Sequence, residues 1–212
     1  ILYQQLNPEV IEMPSLNTTL KSGELYAHLP FKINSSDLHC DSLYSIGFSI
    51  ASVSEYEIRE EGDELIFTLK LINDFSGDYN LEATKAELVE EQDDQGETIW
   101  VESAAALPIN VSRILTATSD KKVRFVHDRN KQSLSDFSSS WEPRKDYFET
   151  IDNFAIQFVQ IDDSNTFTVE AWDKMEIMDG EAIFDAEEEI FTFWYDYMEG
   201  AVRHRMKGIF RK

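Results

Sequence analysis

Cysteine and basic residues are scarce in this sequence of 212 residues. A single cysteine, Cys40, excludes an internal disulfide framework and any zinc site built from several thiolates. Only 19 Lys and Arg residues oppose 41 Asp and Glu residues, so the formal net charge is −22 and a nucleic-acid partner is excluded by repulsion. No run of about 18 apolar residues predicts a membrane-spanning helix. The first residues lack a basic stretch followed by an apolar one, so we expect no signal peptide.

Apolar and aromatic residues are plentiful instead. Hydrophobic residues make up 42% of the chain, and the aromatic residues comprise 14 Phe, 8 Tyr and 4 Trp. This content is too high for a disordered acidic tail. A chain of this length buries roughly 70% of its unfolded surface, so the sequence predicts a folded domain with a substantial core.

Alternation of apolar and polar residues is the main pattern in the sequence. It runs through residues 44–50, 65–71, 154–158, 167–171 and 191–197. A period of two is typical of strands with one buried face, and no segment shows a convincing helical stripe. The sequence therefore predicts an all-β fold, an antiparallel β-sandwich or barrel-like domain with few or no helices.

Turn signals separate these runs, most clearly at residues 73–78, 93–96 and 162–165. The domain organisation that we predict is an N-terminal linker or edge segment over residues 1–23 and a single antiparallel β domain over residues 24–212. A Ser-rich and charged stretch near residues 128–147 is a candidate seam or long loop within that domain.

The tripeptide His39-Cys40-Asp41 is the first candidate for chemistry. On a strand, His39 and Asp41 share one face and Cys40 points to the other, so the three side chains diverge. A zinc site needs three or four ligands, and nothing near supplies them, so the interpretation we favour is a small thiol that is buried or half-buried. The other histidines are isolated, and no catalytic group of residues is predicted.

Tryptophan in a loop is the best candidate for ligand contact. Trp141 lies in a Ser-rich stretch with Tyr147 just after it, and Trp172 is expected on the exposed face of its strand. An exposed indole can stack on the apolar face of a sugar ring, so these three residues are candidate glycan contacts. The alternative is that they cap the core. Trp100 and Trp194 are assigned to packing.

Two acidic turns are candidate calcium sites, since calcium takes six to eight oxygen ligands. Their acidic residues are Asp93, Asp94, Glu97, Asp162 and Asp163. Neither turn has the helix–loop–helix calcium pattern, and the alternative is ordinary turn chemistry, which also favours Asp. No other cofactor is expected.

The last ten residues concentrate basic side chains on one face of a strand. Arg203, Arg205 and Lys207 share that face, and Val202, His204 and Met206 lie on the other. We predict that they pair across strands with acids such as Asp196 and Glu189; the alternative is contact with an anion or a membrane headgroup.

Several stretches together resemble a known family. They are Leu29-Pro30-Phe31-Lys32-Ile33, Asn73-Asp74-Phe75-Ser76-Gly77-Asp78-Tyr79, the aromatic strand Phe191–Tyr197 and the basic strand that follows. This order is similar to the C-terminal β domain of surface lipoproteins encoded beside SusC/SusD-type glycan importers in gut-type Gram-negative bacteria.

The resemblance covers roughly residues 24–212 and implies a function. It implies a non-catalytic accessory protein on the outer-membrane surface, lipid-anchored in its full length. Its expected partners are a polysaccharide or oligosaccharide and a SusC/SusD-type membrane complex. None of the shared motifs is catalytic.

The charge keeps a second function open. Acidity is densest over residues 55–64, which is typical of an acidic interaction module or inhibitor that occupies a basic groove on a partner. Glycosidase activity is the weakest alternative, because in a chain with 41 acidic residues the spacing of any two carboxylates carries no information.

Overall fold

The computed structural model describes residues 3–35, 38–55, 57–58 and 61–212. The chain divides into two compact units, Ile1–Leu71 and Ile72–Lys212. The sequence predicts a boundary near residue 23 instead. Within the described ranges, no helix combines the length and the apolar character needed to cross a membrane.

The first unit is built from short strands. They are β1 (Tyr3–Gln5), β2 (Ile11–Glu12), β3 (Lys32–Ile33), β4 (Leu43–Ser49) and β5 (Glu64–Leu69). Strand β4 lies between β1 and β5, pairing in parallel with the former and antiparallel with the latter. Leu6, Val10 and Tyr44 form its small buried core, which matches the limited apolar surface that so few strands can cover.

The second unit contains nine strands and one α-helix. They are β6 (Gly77–Gln92), β7 (Thr98–Glu102), β8 (Leu107–Ser119), β9 (Lys122–Val126), α1 (Pro143–Phe154), β10 (Ala155–Gln160), β11 (Thr166–Ala171), β12 (Ile177–Asp185), β13 (Ile190–Glu199) and β14 (Val202–Arg211). Eight of the strands follow one another around a ring in the order β6-β8-β9-β10-β11-β12-β13-β14, and β14 pairs back onto β6. All these pairings are antiparallel, so the prediction of an all-β, barrel-like fold is confirmed.

The barrel interior is filled by aromatic and aliphatic side chains. Alternate residues of each strand point inward, as in β13, where Phe191, Phe193, Tyr195 and Tyr197 are all buried. Ring centroids such as those of Phe125 and Phe210 lie 4.8 Å apart. An eight-stranded barrel is just narrow enough for its own side chains to fill it. Binding chemistry is therefore expected on the outer face of the strands.

Two elements cover parts of that outer face. Helix α1 packs on β9 and β10, where its residues Tyr147 and Ile151 join Val126 and Ala155 in a second buried cluster. Strand β6 continues beyond the ring, and its last residues form a hairpin with β7. This β6–β7 hairpin lies on the outer face of the barrel beside β14.

Helix α1 begins near the end of the stretch 128–147, in which the sequence predicts a seam or long loop. Residues 128–142 connect β9 to this helix and contain one short 3-10 helix, Leu134–Phe137. Pro143 occupies the first turn of the helix, where its missing N–H costs nothing. Its apolar residues Tyr147, Ile151 and Phe154 recur at the spacing i, i+4, i+7, which is a helical stripe that the sequence analysis overlooked. Phe154 ends this helix and does not begin the following strand.

Candidate functional site

A cleft of about 630 Å³ lies on the outer face of strands β12, β13 and β14. We call it the outer cleft. Side chains of Glu102, Glu181, Ile183, Thr192, Trp194, Arg205, Lys207 and Ile209 line it, together with parts of Phe193 and Gly208. Its volume falls within the range of about 300–1,000 Å³ that is usual for small-molecule sites.

The strand register arranges the floor of the outer cleft in rows. Glu181 lies opposite Trp194, and Trp194 lies opposite Lys207. Directly opposite residues on one face of an antiparallel sheet are close neighbours, with about 5 Å between their Cβ atoms. The indole of Trp194 therefore stands between a carboxylate on one side and an ammonium group on the other.

A parallel row beside it is apolar. Ile183, Thr192 and Ile209 are cross-strand neighbours, and Ile183 keeps half of its surface exposed. The outer cleft thus joins an apolar floor to a few polar groups at its rim, which is the usual composition of a ligand site.

A buried carboxylate fixes the cations at one end of the outer cleft. Asp196 is only 1% exposed and accepts hydrogen bonds from Arg203 Nη2 (2.8 Å), Arg205 Nε (2.7 Å) and Arg205 Nη2 (3.0 Å). This bonding to Asp196 raises the pKa of Arg205. The Arg205 guanidinium in turn lies 4.9 Å from the centroid of the Trp194 ring, so it holds the indole in place. These pairs confirm the predicted cross-strand role of the basic C-terminal strand.

Strand β7 supplies the side wall. Both carboxylate oxygens of Glu102 accept from Lys207 Nζ, at 2.7 and 2.8 Å. The ring of Trp100, on the same face of β7, lies 4.8 Å from the Arg203 guanidinium. These two contacts, one on each side of Asp196, join the hairpin to the barrel. Together they set the width of the outer cleft.

The chemistry that this arrangement supports is binding of a ligand with an apolar face and several hydroxyl groups. Trp194 offers the part of its ring that Arg205 leaves uncovered, and Glu181 offers acceptors. Lys207 offers the one N–H that its two hydrogen bonds to Glu102 leave over. The cations Arg205 and Lys207 already have carboxylate partners, so the outer cleft holds no excess positive charge for an anionic ligand.

Of the three predicted glycan contacts, Tyr147 and Trp172 lie in one packed cluster with helix α1, and Trp141 does not belong to that cluster. Trp141 is 97% exposed, in agreement with its predicted loop position. Tyr147 is 4% exposed, and its hydroxyl accepts from Arg124 Nη2 at 3.3 Å, so a ligand does not reach it in this conformation. Trp172 packs on the same cluster, with Arg124 stacked 4.7 Å from its ring.

The two acidic turns use their carboxylates locally. Asp93 accepts from the backbone N–H groups of Gln95 (2.8 Å) and Glu97 (2.9 Å), which is ordinary turn chemistry. Asp163 pairs with Lys121 at 2.7 Å, and this hydrogen bond lowers the pKa of Asp163. In the part of the chain that the structure describes, neither turn, with Asp94 in one and Asp162 in the other, gathers three acidic side chains. Calcium binding there stays a prediction.

A second group of polar side chains lies inside the barrel. His127 Nδ1 and the Tyr195 hydroxyl are 2.6 Å apart, and that hydroxyl donates to Met206 Sδ at 2.9 Å. His127 is 3% exposed. Burial, with a smaller contribution from nearby cations such as Lys85, lowers the pKa of His127 to about 3 from its ordinary 6.5. These three side chains are buried in the packed barrel interior, so their role is structural.

We expect His127 to make the fold sensitive to acid. The unfolded chain takes up a proton on this ring below pH 6.5, whereas the folded chain does so only near pH 3. The stability contributed by the neutral ring is therefore complete above pH 6.5 and falls by up to about 1.4 kcal/mol per pH unit as the pH drops toward 3. Ring NMR signals of His127 should keep their neutral positions at pH 4.5; signals that shift between pH 7 and 5 would contradict this.

Sequence reasoning assigned Trp194 to packing and so missed the outer cleft. The signal was available, because Trp194 alternates with the buried residues Phe193 and Tyr195 and must therefore face outward. The partners Glu181 and Lys207 could not be found from the sequence, since they depend on the register of β12 and β14.

Comparisons with solved structures place this fold among Bacteroides proteins. An auxiliary nutrient binding protein from Bacteroides thetaiotaomicron VPI-5482 shares 15% identity with a TM-score of 0.53, over 98% of this chain and 69% of its own. A multidomain protein from Bacteroides ovatus that includes a domain of unknown function shares 13%, with a TM-score of 0.55, over 98% of this chain and 70% of its own. A protein of unknown function from the same species shares 11%, with a TM-score of 0.53, over 98% and 71%. Identities this low establish the fold alone.

The comparison with curated proteins gives no match. A family model described as "-like, C-terminal" matches residues 63–211, which is well over half of the chain. This agrees with the expected resemblance to a C-terminal β domain. The chain therefore belongs to this "-like, C-terminal" domain family.

Proposed function

We propose that this chain is part of a non-catalytic accessory protein for nutrient capture, and that its ligand is a neutral glycan bound in the outer cleft. The observation that carries the proposal is the row Glu181, Trp194, Lys207 on the floor of that cleft. An aromatic ring flanked by an acceptor and a donor suits a pyranose, which has an apolar face and a rim of hydroxyl groups.

The preference for a neutral glycan follows from charge. The two cations of the outer cleft are Arg205 and Lys207, and they are neutralised by ion pairs with Asp196 and Glu102. Glu181 adds a negative charge. A chain of net charge −22 repels acidic polysaccharides at long range. Neutral polysaccharides or oligosaccharides are therefore the expected ligands.

The cellular setting is inferred from the relatives. One solved protein of this fold is an auxiliary nutrient binding protein of Bacteroides. Together with the family resemblance, this supports a location at the cell envelope. We place the full-length protein at the outer-membrane surface, held by a lipid anchor and working beside a SusC/SusD-type importer.

Trp141 is proposed as an auxiliary contact. Its nearly complete exposure leaves both faces of the indole accessible to a long polysaccharide. It lacks the flanking polar row that Trp194 has, so we expect a smaller contribution. Trp172 and Tyr147 are packed in the cluster around helix α1, and a direct contact from them requires that cluster to open.

The test is affinity electrophoresis of the purified chain against a panel of neutral polysaccharides, with three variants alongside. Trp194→Ala is expected to weaken binding roughly tenfold, because loss of a stacked ring costs up to about 1.5 kcal/mol beyond the lost buried area. Trp194→Phe should retain part of the affinity, and Trp141→Ala should reduce it severalfold. No retardation by any glycan, or wild-type retardation of Trp194→Ala, would overturn the proposal.

A second candidate function rests on the charge of −22. An acidic interaction module would bind a basic groove on a partner, with residues 55–64 as its densest acidic stretch; Tyr56, Arg59 and Glu60 lie outside the described residues. Such a complex should weaken steeply between 50 and about 500 mM salt, since surface charges are screened. Glycan binding in the outer cleft should change little over the same range, so the salt dependence separates the two functions.

A further inference from the structure

The tripeptide His39-Cys40-Asp41 adopts a turn in the first unit rather than the strand expected from the sequence. On a strand the three side chains would diverge. In the turn, one ligand atom from each residue lies within 4.8 Å of the other two. Among the residues that the structure describes, no other group of three or more histidine, cysteine, aspartate or glutamate side chains brings its ligand atoms this close together.

The turn is held by the core of its unit. The backbone N–H of His39 donates to the Tyr44 hydroxyl at 2.8 Å, and the N–H of Ser42 donates to the His39 carbonyl at 3.1 Å. Tyr44 belongs to the buried core, and Leu38 packs against that core from the residue before the turn. The three ligand atoms are therefore presented by a backbone that is already fixed, which lowers the entropy cost of binding an ion.

The imidazole and the carboxylate are also oriented toward each other. The Asp41 side chain is 4% exposed, and its Oδ2 lies 3.7 Å from His39 Nδ1. The Asp41 backbone N–H donates to the same Nδ1 at 3.2 Å, and a bond from this nitrogen to an ion takes the place of that hydrogen bond. Half of the His39 side chain is exposed, so the group opens to solvent on one side.

We propose that His39, Cys40 and Asp41 bind a transition-metal ion of the zinc class. Imidazole nitrogen, thiolate sulfur and carboxylate oxygen are the three donor types that zinc takes, and bond lengths of about 2.0–2.3 Å give edges of roughly 3.5 Å between ligands. Rotation of the side chains brings atoms within 4.8 Å to that separation. Water completes the fourth position.

Binding exchanges one proton for one ion. The Cys40 thiol loses its proton to solvent, the sulfur–metal bond forms, and the oxidation state of both partners is unchanged. The soft sulfur donor selects against calcium and magnesium, which prefer oxygen. This site lies in the other unit from the outer cleft, and it does not depend on the proposed function.

The experiment is a titration of the purified full chain with Co²⁺, which replaces zinc in such sites and reports on its ligands by absorption. We expect one equivalent to produce a thiolate-to-cobalt charge-transfer band, and excess Zn²⁺ to remove it. Because Cys40 is the only cysteine, the band identifies its sulfur. Cys40→Ser should abolish the band, and His39→Ala and Asp41→Asn should each weaken binding at least tenfold.

His28→Ala is the matched control, since His28 is an exposed histidine of the same unit and should leave the titration unchanged. Zn²⁺ should also raise the thermal midpoint of the wild type and not that of Cys40→Ser, since an ion that binds only the folded state stabilises it. Absence of the charge-transfer band would overturn the site. Equal affinities of His39→Ala, Asp41→Asn and wild type would show binding by the thiol alone and would also overturn it.

Discussion

Substitution of Gly208 by alanine is expected to lower the free energy of unfolding of the second unit by about 3 kcal/mol. Gly208 lies on β14 directly opposite Ala83 of β6, at the seam that closes the barrel. A Cβ at this position would lie 2.5 Å from Ala83 Cα and 2.6 Å from Ala83 Cβ, and it would also strike the Glu82 carbonyl oxygen. The seam cannot widen without cost, because β14 is paired along its other edge with β13.

Urea unfolding followed by circular dichroism measures this effect. Gly47→Ala is the control, since Gly47 lies within strand β4 and a Cβ there would meet nothing within 4 Å. We expect the control to change stability by less than about 0.5 kcal/mol. If Gly208→Ala unfolds at the same urea concentration as the control, the closure of the barrel through β6 and β14 is wrong.

Replacement of Asp196 by asparagine is the second change with a large expected effect. It leaves the Arg203 and Arg205 guanidinium groups without their shared carboxylate, although their side chains are only 15% and 28% exposed. Loss of one partner of a buried ion pair costs about 3–5 kcal/mol, and the partial exposure of the two arginines places the expected value near 3 kcal/mol. Trp194 also loses the fixed position of the cation stacked on it, so glycan affinity should fall as well.

Glu189→Gln is the matched control for Asp196→Asn. Glu189 pairs with Lys212 at 3.0 Å on the same two-stranded hairpin, but both side chains are substantially exposed. Exposed pairs contribute at most about 1 kcal/mol, and salt screens them. Equal destabilisation of the two variants in urea unfolding would contradict the role of Asp196 as a buried junction between the barrel and the wall of the outer cleft.

The strands were the part of this fold that the sequence predicted best. In β13 and β14 the residues that enter the barrel, among them Phe193, Tyr195 and Met206, alternate with residues that face outward. The pairing of Arg203 and Arg205 with Asp196 follows from that alternation and a two-residue turn at Gly200-Ala201. Local patterns of this kind depend on neighbouring strands alone.

Features that depend on distant contacts were missed. The closure of β14 onto β6 joins residues more than 100 positions apart, and no local pattern encodes it. The outer cleft needs β12, β13, β14 and β7 in register, so its residues are scattered from Glu102 to Ile209. Helix α1 is short, and its last residue, Phe154, also fits the alternating pattern of the next strand. The helical and strand patterns therefore share a residue, which hides the end of the helix in the sequence.

The turn at His39-Cys40-Asp41 shows a different reason for failure. Three consecutive residues can converge only when the backbone bends, and the bend is imposed by Tyr44, whose hydroxyl accepts from the His39 N–H. The sequence predicts Tyr44 as a strand residue but carries no signal for that hydrogen bond. The assumption of a strand through residues 39–41 therefore separated side chains that the turn brings together.

The central claim is that a neutral glycan stacks on Trp194 in the outer cleft, and a titration observed by NMR tests it most directly. The four tryptophans give four indole N–H signals, which Trp→Phe variants assign. Addition of the glycan retained in affinity electrophoresis should shift the Trp194 signal most, the Trp141 signal less and the Trp172 signal little. A titration in which the Trp194 signal stays fixed while the glycan binds would contradict the account.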